Sequence, residues 1–222
     1  MTALNLTLQV ERRRAVLVGG GVVAARKGAV LRRAGLCLTV VAPQLHPSLA
    51  DWVTAGEVAW LPRPYRTDDL QGAFLVVAAT GLREVNRQVA LDAHRLGLLV
   101  TVVDAPREGN CTFPAILQRG DLQVAVSTGG HLPPFAAAVR DELAQVLDEV
   151  YAEALDLLTP YREKLLTLGQ GHTYNTHFIK KLLAAGLLQL LRRGDRVAAA
   201  ALIRQHLSGT GDSPDPLPEA RH

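Results

Sequence analysis

The sequence predicts an α/β fold with a Rossmann-like parallel sheet, followed by a β-hairpin and a C-terminal helical domain. Three observations support this class. In the first half of the chain, short apolar runs alternate with segments of helical spacing. These runs are continuously apolar, which is typical of parallel strands that are covered on both faces. A glycine-rich turn, residues 19–21, connects the first run to the first helical segment.

Five runs are interpreted as strands, and they lie at residues 15–18, 38–41, 57–61, 74–78 and 98–103. Helices are expected over residues 22–34 and 82–96. Right-handed crossovers place the carboxyl ends of such strands along one edge of the sheet, where ligands of these folds bind. The loops at Gly19, Pro43, Thr80 and Asp104 are therefore expected to face one site.

The pattern changes after Asp104. Residues 111–118 and 122–127, separated by a turn at Arg119-Gly120-Asp121, predict a hairpin rather than another crossover. From residue 133 to 207 the spacing is helical and predicts three or four helices, with breaks near residues 169–171 and at Gly194. Three prolines and the loss of periodic apolar residues predict a disordered tail over residues 208–222.

Composition narrows the class of protein further. The 222 residues are 48% hydrophobic and 20% charged, which is typical of a globular protein rather than a disordered one. A net charge of +3 gives no argument for nucleic-acid binding. The longest apolar stretch, residues 182–191, is about half of the ~20 residues that a membrane span needs. Two cysteines and the absence of a secretory signal pattern predict a reducing compartment, and hence the cytoplasm.

The segment from Gly19 to Ala24 fits the pattern G-x-G-x-x-A between a strand and a helix, which predicts dinucleotide binding. Gly19 permits the tight turn, Gly21 lets the backbone approach a pyrophosphate, and Ala24 allows the helix to pack closely on the strand. A turn that uses glycine only for its geometry is the alternative. The acidic residue that usually binds the ribose is replaced by an uncharged segment that ends at Gln44, so the motif leaves NAD and NADP open.

Asp104 follows the fifth predicted strand, where a carboxylate can act as a general base beside the nicotinamide. The alternative is an aspartate that caps the turn before Pro106. The loop of Ser127, Thr128, Gly129 and Gly130 offers hydroxyls and main-chain N–H groups that could hold carboxylates, or simply cap a helix. Arg119 could bind acidic groups or be a solvated surface residue. The seven histidines show no metal-binding spacing, so no structural metal is expected.

Several motifs in order resemble the precorrin-2 dehydrogenase and sirohydrochlorin ferrochelatase family over about residues 5 to 150. They are Val18-Gly19-Gly20-Gly21-x-Val23-Ala24-x-Arg26-Lys27, Ala78-Ala79-Thr80 with Asn86, Val102-Val103-Asp104-Ala105-Pro106, Phe113-Pro114-Ala115, Arg119-Gly120-Asp121-Leu122, and Ser127-Thr128-Gly129-Gly130-x-x-Pro133 with Arg140-x-x-Leu143. Polar residues at Asn110, Cys111 and Thr112 depart from many relatives. The family's second strand commonly ends in a similar uncharged segment.

The resemblance implies an NAD-dependent dehydrogenase that converts precorrin-2 to sirohydrochlorin, and some members also insert ferrous iron. It assigns the active-site aspartate to Asp104 and the NAD contacts to Val22, Val23, Pro43, Gln44 and Thr80, beside Gly19 and Gly21 of the motif. Precorrin-2 carries many carboxylates, for which Arg119 and the loop from Ser127 to Gly130 are the expected partners.

The resemblance also implies a division of the chain and a homodimer. We expect an NAD-binding domain over residues 1–112, a dimerisation segment over 113–150 and a helical domain over 151–207. The methyltransferase domain of larger siroheme synthases is not expected. Two other functions stay open. One is an NAD-binding redox sensor without catalysis, which has no need for Asp104, and the other is a different small-molecule reductase, which needs a proton relay such as Tyr-x-x-x-Lys.

Overall fold

The computed structural model describes residues 3–161 and 171–208. The chain divides into two compact units. The first runs to Pro114 and includes Ser127–Pro133, and the second comprises Ala115–Val126 and the described residues from Pro134 onward. The part of the predicted disordered tail beyond Ser208 lies outside the described residues. Residues 169 and 170, which belong to a predicted helix break, also lie outside them.

The first unit is built on a five-stranded sheet in which every strand pair is parallel. The strands are β1 (Arg14–Val18), β2 (Cys37–Val41), β3 (Ala59–Leu61), β4 (Leu75–Ala78) and β5 (Leu99–Val102). The helices are α1 (Val22–Arg33), α2 (Pro47–Thr54) and α3 (Arg83–Arg95). The strand order β3-β2-β1-β4-β5 confirms the Rossmann-like sheet that the sequence predicts.

Helix α2 is the element of this unit that the sequence analysis did not identify. It begins with Pro47, whose ring fixes a helical φ and whose missing N–H costs nothing at a first helical position. The His46 side chain accepts a hydrogen bond from the Ser48 N–H and caps the helix. This helix was hard to predict because histidine is an unusual cap and the helix has only eight residues.

Both faces of the sheet are covered, which explains why its strands are continuously apolar. Leu17 and Val77 are fully buried on one face, in the cluster that includes residues of α1 and α2. Val16 and Val76 are fully buried on the other face, against residues of α3. Each such side chain contributes roughly 1.5–3 kcal/mol through its removal from water.

The strand order reverses between β1 and β4, because the chain adds β2 and β3 on one side of β1 and then returns to add β4 and β5 on the other. In doubly wound sheets the loops diverge at such a point and leave a crevice at the carboxyl ends of the strands. The loops after β1 and β4 flank this point, and those after β2 and β5 follow on either side.

The second unit begins with a hairpin and continues as helices. The hairpin strands, β6 (Ala115–Arg119) and β7 (Leu122–Val126), pair antiparallel as the sequence predicts. The helices are α4 (Pro133–Val146), α5 (Val150–Leu158), α6 (Gly171–Ala184), α7 (Leu187–Arg192) and α8 (Arg196–Ser208). Phe178, Leu182, Leu187 and Ile203 are buried in its core.

The described residues from 133 to 208 contain five α-helices, more than the three or four that the sequence predicts. Gly194, with φ of +74°, separates α7 from α8 at the expected break, and Gly186, with φ of +94°, separates α6 from α7. The break between α4 and α5 has no glycine or proline. Arg119 of the hairpin donates there to the Leu147 carbonyl, a tertiary contact that helical periodicity cannot reveal.

Within residues 3–161 and 171–208, no helix combines the length and apolar composition that a membrane crossing requires.

Candidate functional site

In the turn after β1, the first two glycines are required because neighbouring backbone atoms lie very close to them. Gly19 has a φ of +127° and its N–H donates to the Val41 carbonyl over 3.0 Å. A Cβ at Gly19 would lie 2.4 Å from the Ala79 carbonyl oxygen, and one at Gly20 would lie 1.9 Å from that of Gln44. Neither position can carry a side chain without a backbone shift. The steric demand at Gly20 was not identified from the motif.

Gly21 differs from its neighbours because a Cβ there would meet no atom of the described residues within 4 Å. It is the N-cap of α1, and no side-chain hydrogen bond caps this end of the helix within the described part of the chain. The first turn carries no acidic residue, and Val22 is 61% exposed. Open space, free N–H groups and the positive end of the helix dipole are the features that bind a phosphate.

The loop after β2 is held against the glycine turn. The His46 N–H donates to the Gly20 carbonyl over 2.6 Å, and the Trp60 indole N–H donates to the Ala42 carbonyl over 2.9 Å. Pro43 and Gln44 are exposed at the tip of this loop. This exposure is compatible with the NAD contacts that the family resemblance assigns to these two residues.

Thr80, in the loop after β4, is tied to Asn86 of α3 by both its backbone and its side chain. The Thr80 N–H donates to Asn86 Oδ1 over 3.0 Å, and the Thr80 hydroxyl lies 2.7 Å from the same oxygen. Asn86 Nδ2 donates to the Thr80 carbonyl over 3.0 Å. Asn86 is only 1% exposed, so this loop is anchored on a buried amide.

Asp104 lies just past the carboxyl end of β5, and its side chain is 37% exposed. Its Oδ1 accepts a hydrogen bond from Asn86 Nδ2 over 2.9 Å. Its Oδ2 is 3.9 Å from the Nε of Arg83, the first residue of α3. The structure therefore brings Thr80 and Asp104 together through one amide, as the shared sheet edge predicts.

Arg83 and Glu108 form an ion pair beside Asp104. The hydrogen bond from Arg83 holds the pKa of Glu108 below its ordinary value, and the same bond raises the pKa of Arg83. Glu108 Oε2 is buried and has no hydrogen-bond partner among the described residues. Sequence reasoning missed both residues, because only the fold brings them together. Asn86 appeared there only as part of a motif.

Lys27 of α1 lies over the ring of Phe113, with its Nζ 4.6 Å from the ring centroid. Burial lowers the pKa of Lys27, and the neighbouring charge of Arg26 lowers it further. Two of the motifs that carry the family resemblance thus meet in a cation–π contact.

The loop of Ser127, Thr128, Gly129 and Gly130 belongs to the first unit. Both glycines have positive φ, +62° and +81°. Ser127 Oγ accepts from the Gly129 N–H, and Thr128 Oγ1 accepts from the Leu132 N–H. Because the two hydroxyls act as acceptors in these bonds, their own hydrogens can still be donated to a carboxylate.

Arg119 lies in the second unit, where its guanidinium is engaged with the end of α4. Its Nε donates to the Leu147 carbonyl over 2.9 Å, and Nη2 donates to that of Ala144 over 3.4 Å. Nε is also 3.3 Å from a carboxylate oxygen of Glu149. Arg119 thus satisfies carbonyls at a helix terminus.

The described residues contain no cluster of three or more histidine, cysteine, aspartate or glutamate side chains that could hold a metal ion.

Two family models match the chain. A model described as NAD(P)-binding covers residues 6–115, and a model described as sirohaem biosynthesis protein central covers residues 119–145. The two matches leave a gap of three residues, 116–118, inside β6, and they cover the sheet, the rest of the hairpin and all of α4 except Val146.

Curated relatives are similar over most of this chain. The siroheme synthase of Chromobacterium violaceum is 37% identical over 211 residues, which are 95% of this chain and 45% of the relative. Siroheme synthase 1 of Aeromonas salmonicida is 37% identical over 207 residues, which are 91% of this chain and 43% of the relative. The chain thus spans less than half of the length of these relatives.

A solved structure titled SirC, precorrin-2 dehydrogenase, superimposes with a TM-score of 0.74 at 23% identity. The alignment covers 93% of this chain and all of the other. At this identity the match establishes a shared fold, including its helical C-terminal part.

Proposed function

Because the chain matches a model described as NAD(P)-binding and one described as sirohaem biosynthesis protein central, we propose that it is an NAD-dependent dehydrogenase that converts precorrin-2 to sirohydrochlorin. The observation that carries the proposal is the position of Asp104. This carboxylate lies at the carboxyl edge of the sheet, joined through Asn86 to the Thr80 loop beside the point where the strand order reverses.

The residues at the sheet edge fit a dinucleotide. The uncapped N-terminus of α1 and the open space above Gly21 suit a pyrophosphate, with Gly19 needed to close the turn. We assign further contacts to Val22 and Val23, whose exposed side chains flank this helix start, and to Pro43, Gln44 and Thr80 in the loops on either side.

The reaction removes two electrons and two hydrogens from the substrate. NAD, when bound, supplies the acceptor for a hydride from one carbon. Asp104 then has to accept the proton that leaves a neighbouring atom. Its partial exposure lets it reach a bound substrate, and the hydrogen bond from Asn86 holds one of its oxygens in place.

The substrate is a tetrapyrrole with many carboxylates, and its recognition requires donors. We assign this role to Ser127, Thr128, Gly129 and Gly130, whose hydroxyl hydrogens and left-handed glycines suit a carboxylate-binding loop. Arg119 remains a proposed contact, although its guanidinium already serves the end of α4.

We also propose that the protein is a homodimer, with residues 113–150 as the dimerisation segment between the NAD-binding domain, 1–112, and the helical domain, 151–207. Apolar side chains on the hairpin and α4 support this role, since Ile116 is 42% exposed and Phe135 is 57% exposed. A cytoplasmic location follows from the proposed pathway and fits the two free cysteines, Cys37 and Cys111.

The test is to mix the purified chain with precorrin-2 and NAD under anaerobic conditions and follow the absorbance of NADH. We expect turnover that depends on protein concentration. Binding of NAD without turnover would reject the dehydrogenase and favour a redox sensor. A separate assay with sirohydrochlorin and ferrous ion tests whether iron is a second substrate, judged against the rate with metal alone.

A further inference from the structure

We propose that Asn86 is a positioning residue for the dehydrogenation, which couples the cofactor loop to the base by holding Thr80 and Asp104 with one buried amide. The inference rests on the proposed function. Asn86 lies in the second turn of α3 and is only 1% exposed. Its side chain spans the loops after β4 and β5, and these loops carry a proposed cofactor contact and the proposed base.

The hydrogen bonds of Asn86 fix the orientation of its amide. Nδ2 donates one hydrogen to the Thr80 carbonyl and the other to Asp104 Oδ1, at 3.0 and 2.9 Å. Oδ1 accepts from the Thr80 N–H at 3.0 Å. A flipped amide would place its oxygen against the Thr80 carbonyl and the carboxylate, and its NH2 group against the Thr80 N–H. The orientation with Nδ2 toward Asp104 is therefore enforced by the surrounding groups.

This orientation determines which oxygen of Asp104 can take up a proton. Asp104 Oδ1 accepts a hydrogen bond from the NH2 group of Asn86, which does not release a proton and cannot accept a hydrogen bond itself. A proton on Oδ1 would compete with that hydrogen bond. The proton lost by the substrate is therefore directed to Oδ2, the oxygen that lies 3.9 Å from Arg83 Nε. Asn86 engages one of the two lone pairs of Oδ1 and so favours Oδ2 as the reactive atom.

A buried asparagine that only stabilises the loop would also bind Thr80, so the contact with Asp104 must be tested separately. Asn86→Asp keeps the size of the side chain and the acceptor for the Thr80 N–H, but it replaces the NH2 group, which donates to both the Thr80 carbonyl and Asp104, with an oxygen. Because loss of the bond to the Thr80 carbonyl alone would not move a pH–rate profile, the pH dependence reports on the contact with Asp104. Two carboxylates at this distance share a proton. We expect kcat at neutral pH to fall about 10- to 100-fold and to recover as the pH rises. The acid side of the pH–rate profile should move upward by about one pH unit or more.

Asp92→Asn is the matched control. Asp92 lies on the same helix, is equally buried and undergoes the reverse isosteric change, but its partners are Tyr65, Thr67 and Gln88 rather than a residue of the sheet edge. It should lower the unfolding temperature and leave the pH–rate profile in place. An Asn86→Asp profile that coincides with that of wild type, or an equal shift in Asp92→Asn, would overturn the proposal.

A readout without turnover separates this inference from the proposed function. In the free protein, the side-chain NH2 signals of Asn86 in a ¹⁵N correlation spectrum should move with pH as Asp104 gains its proton. The movement should vanish in Asp104→Ala and persist in Asp92→Asn. Signals that move equally in Asp104→Ala would refute the contact. If wild type shows the movement but does not oxidise precorrin-2, the proposed function fails and the coupling of Asn86 to Asp104 stands.

Discussion

Helix α3 carries two polar side chains that are almost completely buried, Asn86 near its beginning and Asp92 near its end, each 1% exposed. Asp92 is a charge that pairs with Arg95 and accepts hydrogen bonds from Tyr65, Thr67 and Gln88. Asn86 is neutral, and one of its bonds leads to a partly exposed carboxylate. The end of the helix near Asp92 therefore uses burial to secure the loop before β4, and the end near Asn86 uses it to hold the proposed base, Asp104.

Burial and hydrogen bonding alone therefore do not identify a functional residue. Both side chains have hydrogen-bond partners, and both are equally buried in the core. What separates them is the last partner in the network. At Asp92 the partners end in the fold, while at Asn86 they reach Asp104 at the sheet edge where ligands bind.

The largest expected effect is on activity, at the beginning of the helix. Asp104→Ala should reduce kcat about 10²- to 10⁴-fold, because the proton acceptor is removed. The free energy of unfolding should fall by only about 1 kcal/mol, because the buried Asn86 amide loses one acceptor at a partly exposed site that water can reach. Steady-state kinetics and urea unfolding of the same preparation test this pair of results. Unchanged turnover would remove Asp104 from the mechanism and end the contrast with Asp92.

The next effect is on stability, at the end of the helix. Asp92→Ala should lower the free energy of unfolding by about 2–3 kcal/mol, because the half-buried Tyr65 and the Thr67 hydroxyl lose hydrogen bonds to a charged acceptor. At a temperature where the variant is folded, kcat should stay within twofold of wild type by a rough estimate, since no partner of Asp92 lies at the sheet edge. Urea unfolding measures the loss. A large fall in kcat with intact folding would show that the two ends are not independent.

The free energy of unfolding at low pH should show whether the charge of Asp92 stabilises the fold. Burial raises the pKa of this carboxyl, but the hydrogen bonds from Gln88, Thr67 and Tyr65 outweigh it and leave the pKa below its ordinary value of 3.8. The resulting stabilisation is fully present above pH 3.8 and is lost as the pH falls through the lower pKa of the folded state. Urea unfolding across this range should show a steeper loss in wild type than in Asp92→Asn. Equal slopes would contradict a stabilising charge.

The smallest effect is expected at the ion pair beside the base. Arg83 and Glu108 are both partly exposed, so Glu108→Gln should change the free energy of unfolding by less than about 1 kcal/mol. Released from Glu108, Arg83 is free to approach Asp104 Oδ2. We expect a change of only a few-fold in kcat, of order 1 kcal/mol or less. Thermal unfolding and kinetics together detect it, and a loss as large as that of Asp104→Ala would make Glu108 part of the reactive group.

The sheet could be predicted from the sequence because burial on both faces makes consecutive residues of a strand apolar. Val16, Leu17, Val76 and Val77 point alternately to two covered faces, so their strands are continuously apolar. The glycine turn was equally visible, since its position between a strand and a helix is local. Asp104 could be placed at the edge because it directly follows a strand.

The remaining features depend on contacts between distant parts of the chain. Arg83 and Glu108 are 25 residues apart, and Arg119 meets Leu147 over 28 residues. No periodicity carries this information, so the engagement of Arg119 at the end of α4 and the break after that helix were not predicted. Asn86 was visible as part of a motif, but its bond to Asp104 requires the pairing of β4 with β5.

The lack of space for a side chain at Gly20 limits how the cofactor preference of this protein could be changed. The loop after β2 lies against that glycine and is hydrogen-bonded to its carbonyl, so its backbone at Gln44 cannot be displaced toward the turn that is proposed to bind the phosphates. Its exposed tip, Pro43 and Gln44, is free to vary in side chain. A design toward the phosphorylated dinucleotide therefore has to work by substitution at those two positions, on a backbone that stays fixed.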